Sequence, residues 1–158
     1  VSSLLKASIG AQMTVGVQEG PRRLANILEV RYLQGSLRLT HTGRRILVQA
    51  HLEVETPSEC VRCLEPFALK VIVRFDELFT FYPDSPPDKM YHIDEDGFLH
   101  LERPLTEQVQ LALPIKPLCR PDCKGLCAQC GQNWNEGACD CSDSADDPRL
   151  AGLRALLE

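Results

Sequence analysis

Residues 44 to 82, RRILVQAHLEVETPSECVRCLEPFALKVIVRFDELFTFY, hold the pattern that decides the fold. Ile46, Val48, Ala50, Leu52 and Val54 recur at every second position, and further on Leu69, Val71, Val73 and Phe75 do the same. A period of two is the side-chain repeat of a strand with one face buried and the other wet. The stretch 44–55 and the stretch from Phe67 to Tyr82 therefore predict two long strands, with Cys60-Val61-Arg62-Cys63 in the connection between them. Upstream, LRLTH at 37–41 is a third strand-like run, and Thr42-Gly43 after it is a turn signal, so these residues predict a β-hairpin.

Outside this block the pattern is more broken. Residues 2–9 predict a short helix stopped at Gly10, and Met13 to Val17 a strand. Pro83, Pro86 and Pro87 keep Asp84 to Lys89 out of a sheet, because proline has no N–H to give to a ladder. Short strands are expected at Tyr91 to Asp94 and Phe98 to Glu102, either side of an acidic turn at 94–97. Leu105, Val109, Ala112 and Leu113 recur at helical spacing between Pro104 and Pro114, which predicts a helix over 104–113 that covers one face of the sheet. Asp146-Asp147-Pro148 supplies a helix start, and Leu150, Leu153, Leu156 and Leu157 make an apolar stripe that is expected to pack back on the core, the alternative being that it is offered to a partner. The fold class expected is α+β: an antiparallel β-sheet with a covering helix (residues 1–118), then a cysteine-rich zinc module ending in a short helix (119–158).

The chemistry lies in the cysteines. Of eight, Cys60 and Cys63 form a C-x2-C pair, and Cys119, Cys123, Cys127, Cys130, Cys139 and Cys141 fall within 23 residues. A C-x2-C pair lets one turn of backbone aim two thiolates at a single tetrahedral ion, and eight thiolates are the complement of two closed four-thiolate zinc sites. Cys127-x2-Cys130 and Cys139-x-Cys141 are expected to close one site; Cys119-x3-Cys123 then reaches back to Cys60-x2-Cys63 for the other. Spacing leaves one alternative, an exchange of roles between Cys123 and Cys127. Thiolates alone do not separate zinc from iron and sulfur, although nothing in the sequence suggests electron transfer.

Two other readings of the cysteines are weaker. A disulfide framework belongs to secreted chains, and the opening VSSLLKASIG has no basic n-region, long apolar h-region or cleavage site. The expected compartment is the cytoplasm, and Val at position 1 predicts a trimmed N-terminus. A redox Cys60-x2-Cys63 would need a helix N-terminus to lower a thiol pKa, and this pair sits between strands.

Catalytic candidates are few. His51-Leu52-Glu53 ahead of Cys60-x2-Cys63 resembles part of a zinc-deaminase signature, but the gap is too short and both residues lie on a strand. His41, His92 and His100 have no partner at ligand spacing and are expected at surfaces or turns. No G-x-G-x-x-G, P-loop or G-x-S-x-G element occurs, so neither an enzyme nor a small-molecule substrate is expected. No apolar run approaches the roughly 20 residues of a membrane span.

Charge is unevenly placed. The formal total is −5, and two zinc ions on eight thiolates would take it to −9. Residues 1–75 carry +4, residues 76–118 carry −6 and residues 119–158 carry −3. An acidic total disfavours indiscriminate nucleic-acid binding, while Arg22, Arg23, Arg31, Arg38, Arg44, Arg45, Arg62 and Arg74 leave room for one local RNA-facing surface. The bland alternative is that these arginines are spread over a solvated sheet.

Four phrases in order carry a family likeness: the C-x2-C knuckle before an apolar strand, then LTEQVQLALPIKPLC, then CKGLCAQCGQNWNEGACDC, then DPRLAGLRALL. Together they resemble the YceD family of large ribosomal RNA subunit accumulation proteins, from about Leu47 to Leu157, and SSLLKASIG is similar to that family's opening. Trp134 departs from the aliphatic residue expected at its position. The resemblance implies a role in the synthesis, processing or accumulation of 23S ribosomal RNA, and hence in large-subunit assembly in bacteria and plastids. The expected partners are the large-subunit RNA precursor or a basic ribosomal protein or assembly factor, met by a non-enzymatic adaptor or chaperone. A nucleotide- or RNA-acting enzyme and a protein-only zinc interaction module are the alternatives.

Overall fold

A computed structural model describes residues 1–81 and 91–141. Its elements are α1 (Ser2–Leu5), β1 (Gln12–Glu19), β2 (Arg22–Leu24), β3 (Leu28–Val30), β4 (Tyr32–His41), β5 (Arg45–Glu59), β6 (Pro66–Phe81), β7 (His92–Ile93) and α2 (Glu102–Ala112). Five strands form one sheet in the order β1-β4-β5-β6-β7, and β2 with β3 forms a separate hairpin. The class is α+β. Pairing is antiparallel throughout the large sheet except at its edge, where β7 runs parallel to β6 over two residue pairs.

The alternation of the long strands is obeyed. Ile46, Val48, Ala50, Leu52 and Val54 face inward, and the register places Ile46 opposite Phe79, Ala50 opposite Phe75 and Val54 opposite Val71 on the same side. That face is covered by α2, through Leu105 and Val109, and by the small hairpin, through Leu24, Leu28 and Val30. Burying each of these aliphatic side chains contributes roughly 1.5–3 kcal/mol before chain entropy is subtracted. The opposite face stays wet, with Arg38, His51 and Arg74 exposed.

Several expectations shift. The N-terminal helix closes after Leu5 instead of running to Ile9, and the Phe98–Glu102 strand is reduced to a single bridge between Ile93 and Leu99. Helix α2 begins at Glu102, ahead of Pro104, because proline is tolerated in the first turn where no intrahelical N–H bond is made. The β2–β3 hairpin was not expected. His41 is buried instead of lying at the surface: Nδ1 meets the Ala7 and Ser8 carbonyls at 3.1 and 3.3 Å and Nε2 meets Gly43 O at 2.6 Å, clipping the N-terminal segment to the β4–β5 turn. The loop expected at 84–89 and the helix expected after Asp146 lie outside the described residues. Among the described residues no helix is long and apolar enough to cross a membrane.

One feature of the sheet positions the cysteines. β4 reaches only as far as Tyr32 opposite Glu55, whereas β5 and β6 continue to pair through Thr56–Leu69, Pro57–Ala68, Ser58–Phe67 and Glu59–Pro66. Pro57 is tolerated because β5 has no partner from β4 there, so its missing N–H costs no ladder bond on that side. The hairpin thus extends past β4 as a two-stranded arm with Cys60 and Cys63 at its tip.

Candidate metal centre

The tip is a tight backbone loop. Cys60 N–H donates to Glu65 O at 3.0 Å and Leu64 N–H donates to Cys60 O at 2.8 Å. The same two bonds recur at the second C-x2-C: Cys127 N–H to Gln132 O at 2.8 Å and Gly131 N–H to Cys127 O at 2.9 Å. In both loops the residue after the second cysteine is left-handed, Leu64 at φ 60° and Gly131 at φ 74°. The cysteine spacing carries no sign of this identity, because leucine stands at the first tip where the second has glycine.

The chain then lays residues 115–126 against the arm. Val61 N–H donates to Pro117 O at 3.0 Å, Leu126 N–H to Arg62 O at 3.1 Å, and the Arg62 guanidinium to Cys123 O at 2.8 Å. Gly125 is required here: its φ is 81°, and a Cβ would lie 3.1 Å from Arg62 O. Phe67, Leu118 and Leu126 pack around the cysteines that result.

All eight cysteines lie in two groups of four. Cys60, Cys63, Cys119 and Cys123 form one, Cys127, Cys130, Cys139 and Cys141 the other, and within each group all sulfur atoms lie within 4.8 Å of one another. In the first, Cys60 Sγ is 3.8 Å from Cys123 Sγ and Cys63 Sγ is 3.7 Å from Cys119 Sγ. Four sulfurs at bonds of about 2.3 Å from a tetrahedral zinc ion stand about 3.8 Å apart, so the donor set and the edge length both fit a closed four-thiolate site. The division follows that drawn from spacing, with Cys123 in the first group and Cys127 in the second.

Electrostatics within the groups agree with a role for a cation. Burial pushes the Cys60 thiol up, but backbone N–H groups at Cys119, Cys63 and Arg62 outweigh it and bring the pKa down to about 6, while burial and the neighbouring sulfurs push Cys119 up to about 12. In the second group the Trp134 indole and the Cys141 N–H bring Cys139 down to about 6, and the Cys130 sulfur and burial push Cys141 up to about 12. Adjacent thiolates repel, so without a cation one sulfur ionises at the expense of another. A divalent ion reverses this and favours four thiolates.

Two sulfurs receive side-chain donors that spacing did not reveal. Asn135 Nδ2 donates to Cys123 Sγ at 3.3 Å, and Trp134 Nε1 donates to Cys139 Sγ at 3.4 Å. Such outer hydrogen bonds orient a ligand and spread its charge. The groups differ in exposure: Cys60, Cys63 and Cys123 are buried and Cys119 half-buried, whereas Cys130 and Cys141 are exposed.

The remaining candidates do not join the cysteines: His92 and His100 lie with their ring centroids 5.7 Å apart, and His100 Nε2 meets Asp94 Oδ2 at 3.1 Å. His51 lies on the outer sheet face, where neighbouring Glu53 accepts a 2.6 Å bond from the Tyr32 hydroxyl, so neither joins the cysteines. Arg22 pairs with Glu19 at 3.6 Å and Arg31 with Glu55 at 3.9 Å, while Arg38, Arg44 and Arg45 stay exposed along the β4–β5 hairpin.

An α+β protein with one four-cysteine cluster joining a hairpin tip to a later segment, and a second cluster beside it, is the class that fold and site define. The chain belongs to the YceD family, whose description, Large ribosomal RNA subunit accumulation protein YceD, matches residues 48–157. It is similar to the protein Rv2926c of Mycobacterium tuberculosis, 43% identical over 100 residues, 60% of this chain and 48% of that one. It is 31% identical over 71 residues to the chloroplastic large ribosomal RNA subunit accumulation protein YCED homolog 1 of Arabidopsis thaliana, covering 45% of this chain and 22% of the relative. The Bacillus subtilis protein YlbN is 27% identical over 140 residues, 87% of this chain and 75% of its own length. The chain spans about half the length of the mycobacterial relatives it matches. No solved structure matches it.

Proposed function

We propose that this protein is a non-enzymatic, zinc-binding factor that supports accumulation of 23S ribosomal RNA and assembly of the large ribosomal subunit. The observation that carries the reading is the pair of four-cysteine clusters, within a family named for large ribosomal RNA subunit accumulation. Four thiolates leave a zinc ion no open position for water or substrate, so each ion holds backbone together and performs no hydrolysis. When bound, zinc supplies a fixed tetrahedral centre. Cys60 and Cys63 hold it from the arm, Cys119 and Cys123 from the segment after α2, and Cys127, Cys130, Cys139 and Cys141 hold the second ion. The cytoplasm, where thiols stay reduced, suits such ligands.

On this reading the protein is an adaptor. Its acidic parts engage a basic ribosomal protein or assembly factor, while exposed Arg38, Arg44 and Arg45 of the β4–β5 hairpin face RNA. Crosslinking in cells followed by purification tests this: recovery with precursor large-subunit particles is expected, and recovery only with unrelated partners overturns it. A salt titration of binding to isolated large-subunit RNA then separates the contacts. Binding that weakens with salt assigns a contact to the arginines; no binding at any salt removes the RNA contact and leaves a protein adaptor.

A further inference from the structure

The two edges of the sheet are built differently. At one, the edge strand β7 covers β6 over only two residue pairs, and the rest of β6 begins at Pro66, carries Lys70, Arg74, Asp76 and Glu77, and meets α2. β1, QMTVGVQE, has no proline or lysine, and its one charge, Glu19, is its last residue. None of its residues is fully buried, Val15 is 38% exposed although it faces inward, and among the described residues only β4 pairs with it. Natural edge strands are usually blunted by charge, proline or a bulge, and an unblunted one is a template for another strand. Beside it, a largely apolar cavity of about 270 Å³ is lined by Val17 and Glu19 of β1 with Leu24, Leu33, Leu37 and Phe75.

We propose that β1 pairs antiparallel with β1 of a second copy of this chain, about a two-fold axis through Val15. The register follows from face and charge. Residues opposite each other in a ladder share a face, so Met13, Val15 and Val17, which face the core side, must meet one another. With Val15 on the axis, Met13 lies opposite Val17 of the second copy, Gln12 opposite its Gln18 and Thr14 opposite its Gly16. Glu19 then falls opposite Ala11. Moving the axis to Gly16 would put the Glu19 carboxylate against Met13 instead. Because Val17 lines the cavity, each copy's Met13, unbranched and adaptable, fills the mouth of the other's. A strand uncharged from Gln12 to Gln18, with Glu19 paired outside that stretch, meets itself without repulsion, which favours a second copy over a charged partner. One pair of eight-residue strands is a small interface, so the dimer is reversible, with Kd on the order of 10 µM.

Sedimentation velocity on the full chain, spanning concentrations either side of that value, tests the proposal. The expected result is a monomer passing to a dimer, with amide exchange at residues 13–17 slowing as the dimer fills. Val15→Lys sets two ammonium groups on the axis and should stay monomeric throughout. Should that variant misfold, the double variant Thr14→Glu with Gly16→Glu serves: both positions are exposed, a Cβ at Gly16 meets nothing within 4 Å, and the new carboxylates face each other across the axis. Met13→Ala should weaken the dimer about tenfold. A wild-type chain monomeric at every concentration overturns the proposal, as does a folded charge variant that dimerises like wild type. So does exchange at β1 that is equally slow at the lowest concentration, which would mean another segment of the chain covers the edge.

Discussion

Leu64 and Gly131 occupy the same position in two loops with the same hydrogen bonds, and only one of them is suited to it. A leucine held at φ 60° carries a left-handed penalty of about 1 kcal/mol, partly offset because glycine is the more flexible residue when unfolded. Leu64 is also 56% exposed, so little packing is lost with it. Leu64→Gly should therefore be neutral to stabilising by up to about 1 kcal/mol, and Gly131→Leu destabilising by a similar amount, read from urea midpoints of the metal-loaded protein. A Leu64→Gly variant that loses more than about 1 kcal/mol would mean the side chain makes a contact that outweighs its strain. Trp134 offers a second residue-scale test. As the chain's single tryptophan and a donor to Cys139 Sγ, its fluorescence should report the state of the second cluster most directly. Cys139→Ser should shift that emission more than Cys60→Ser does, since the first cluster reaches Trp134 only through Asn135 and Gly125.

At the scale of elements, α2 is held to the segment before β7 by Tyr91, whose hydroxyl donates to Glu107 Oε2 at 2.6 Å, and within the helix Arg103 Nε donates to Glu107 Oε1 at 3.0 Å. The Tyr91 hydroxyl and then Arg103 hold Glu107 below the ordinary carboxylate range; burial and then Glu107 push Tyr91 from 10.0 up to about 12. The Glu107 contribution is therefore present above that range and is lost as pH falls through its depressed value. The Tyr91 contribution is full below pH 10 and is lost as pH rises through about 12. Tyr91→Phe should cost about 1 kcal/mol at neutral pH, with the difference from wild type disappearing toward pH 12, measured by urea unfolding across pH. A constant difference at alkaline pH would contradict the bond. The long strands were legible because Ile46 to Val54 and Leu69 to Phe75 alternate without interruption. The β2–β3 hairpin was not, because its turn places Ala25 at φ 46° and Asn26 at φ 56° without a glycine, and Ala25 is held there by a 2.7 Å bond from its N–H to Glu102, 77 residues away. His41 was misplaced for the same reason: its burial comes from carbonyls at Ala7, Ser8 and Gly43 that only the folded chain assembles.

For the whole molecule, the cysteine grouping was legible because C-x2-C pairs share a centre and eight residues divide by four. The reach of Cys119 and Cys123 back to the hairpin tip followed from that count. The donors to sulfur were not legible, since nothing in the spacing of Trp134 and Asn135 ties them to Cys139 and Cys123. Exposure also separates the two clusters, and this predicts an order of metal loss. A chelator should strip the Cys127–Cys141 cluster first, shifting Trp134 emission while the circular dichroism of the sheet persists, because Cys130 and Cys141 are open to solvent and the arm cluster is sealed by Phe67, Leu118 and Leu126. Simultaneous loss of both signals would mean that the clusters unfold as one unit. The central claim is that two ions hold this chain together, and native mass spectrometry with elemental analysis tests it most directly. The wild-type chain should carry two zinc ions, and Cys60→Ser or Cys139→Ser one each; a wild-type chain that retains no zinc, or a single ion, after purification in zinc-sufficient buffer would contradict it.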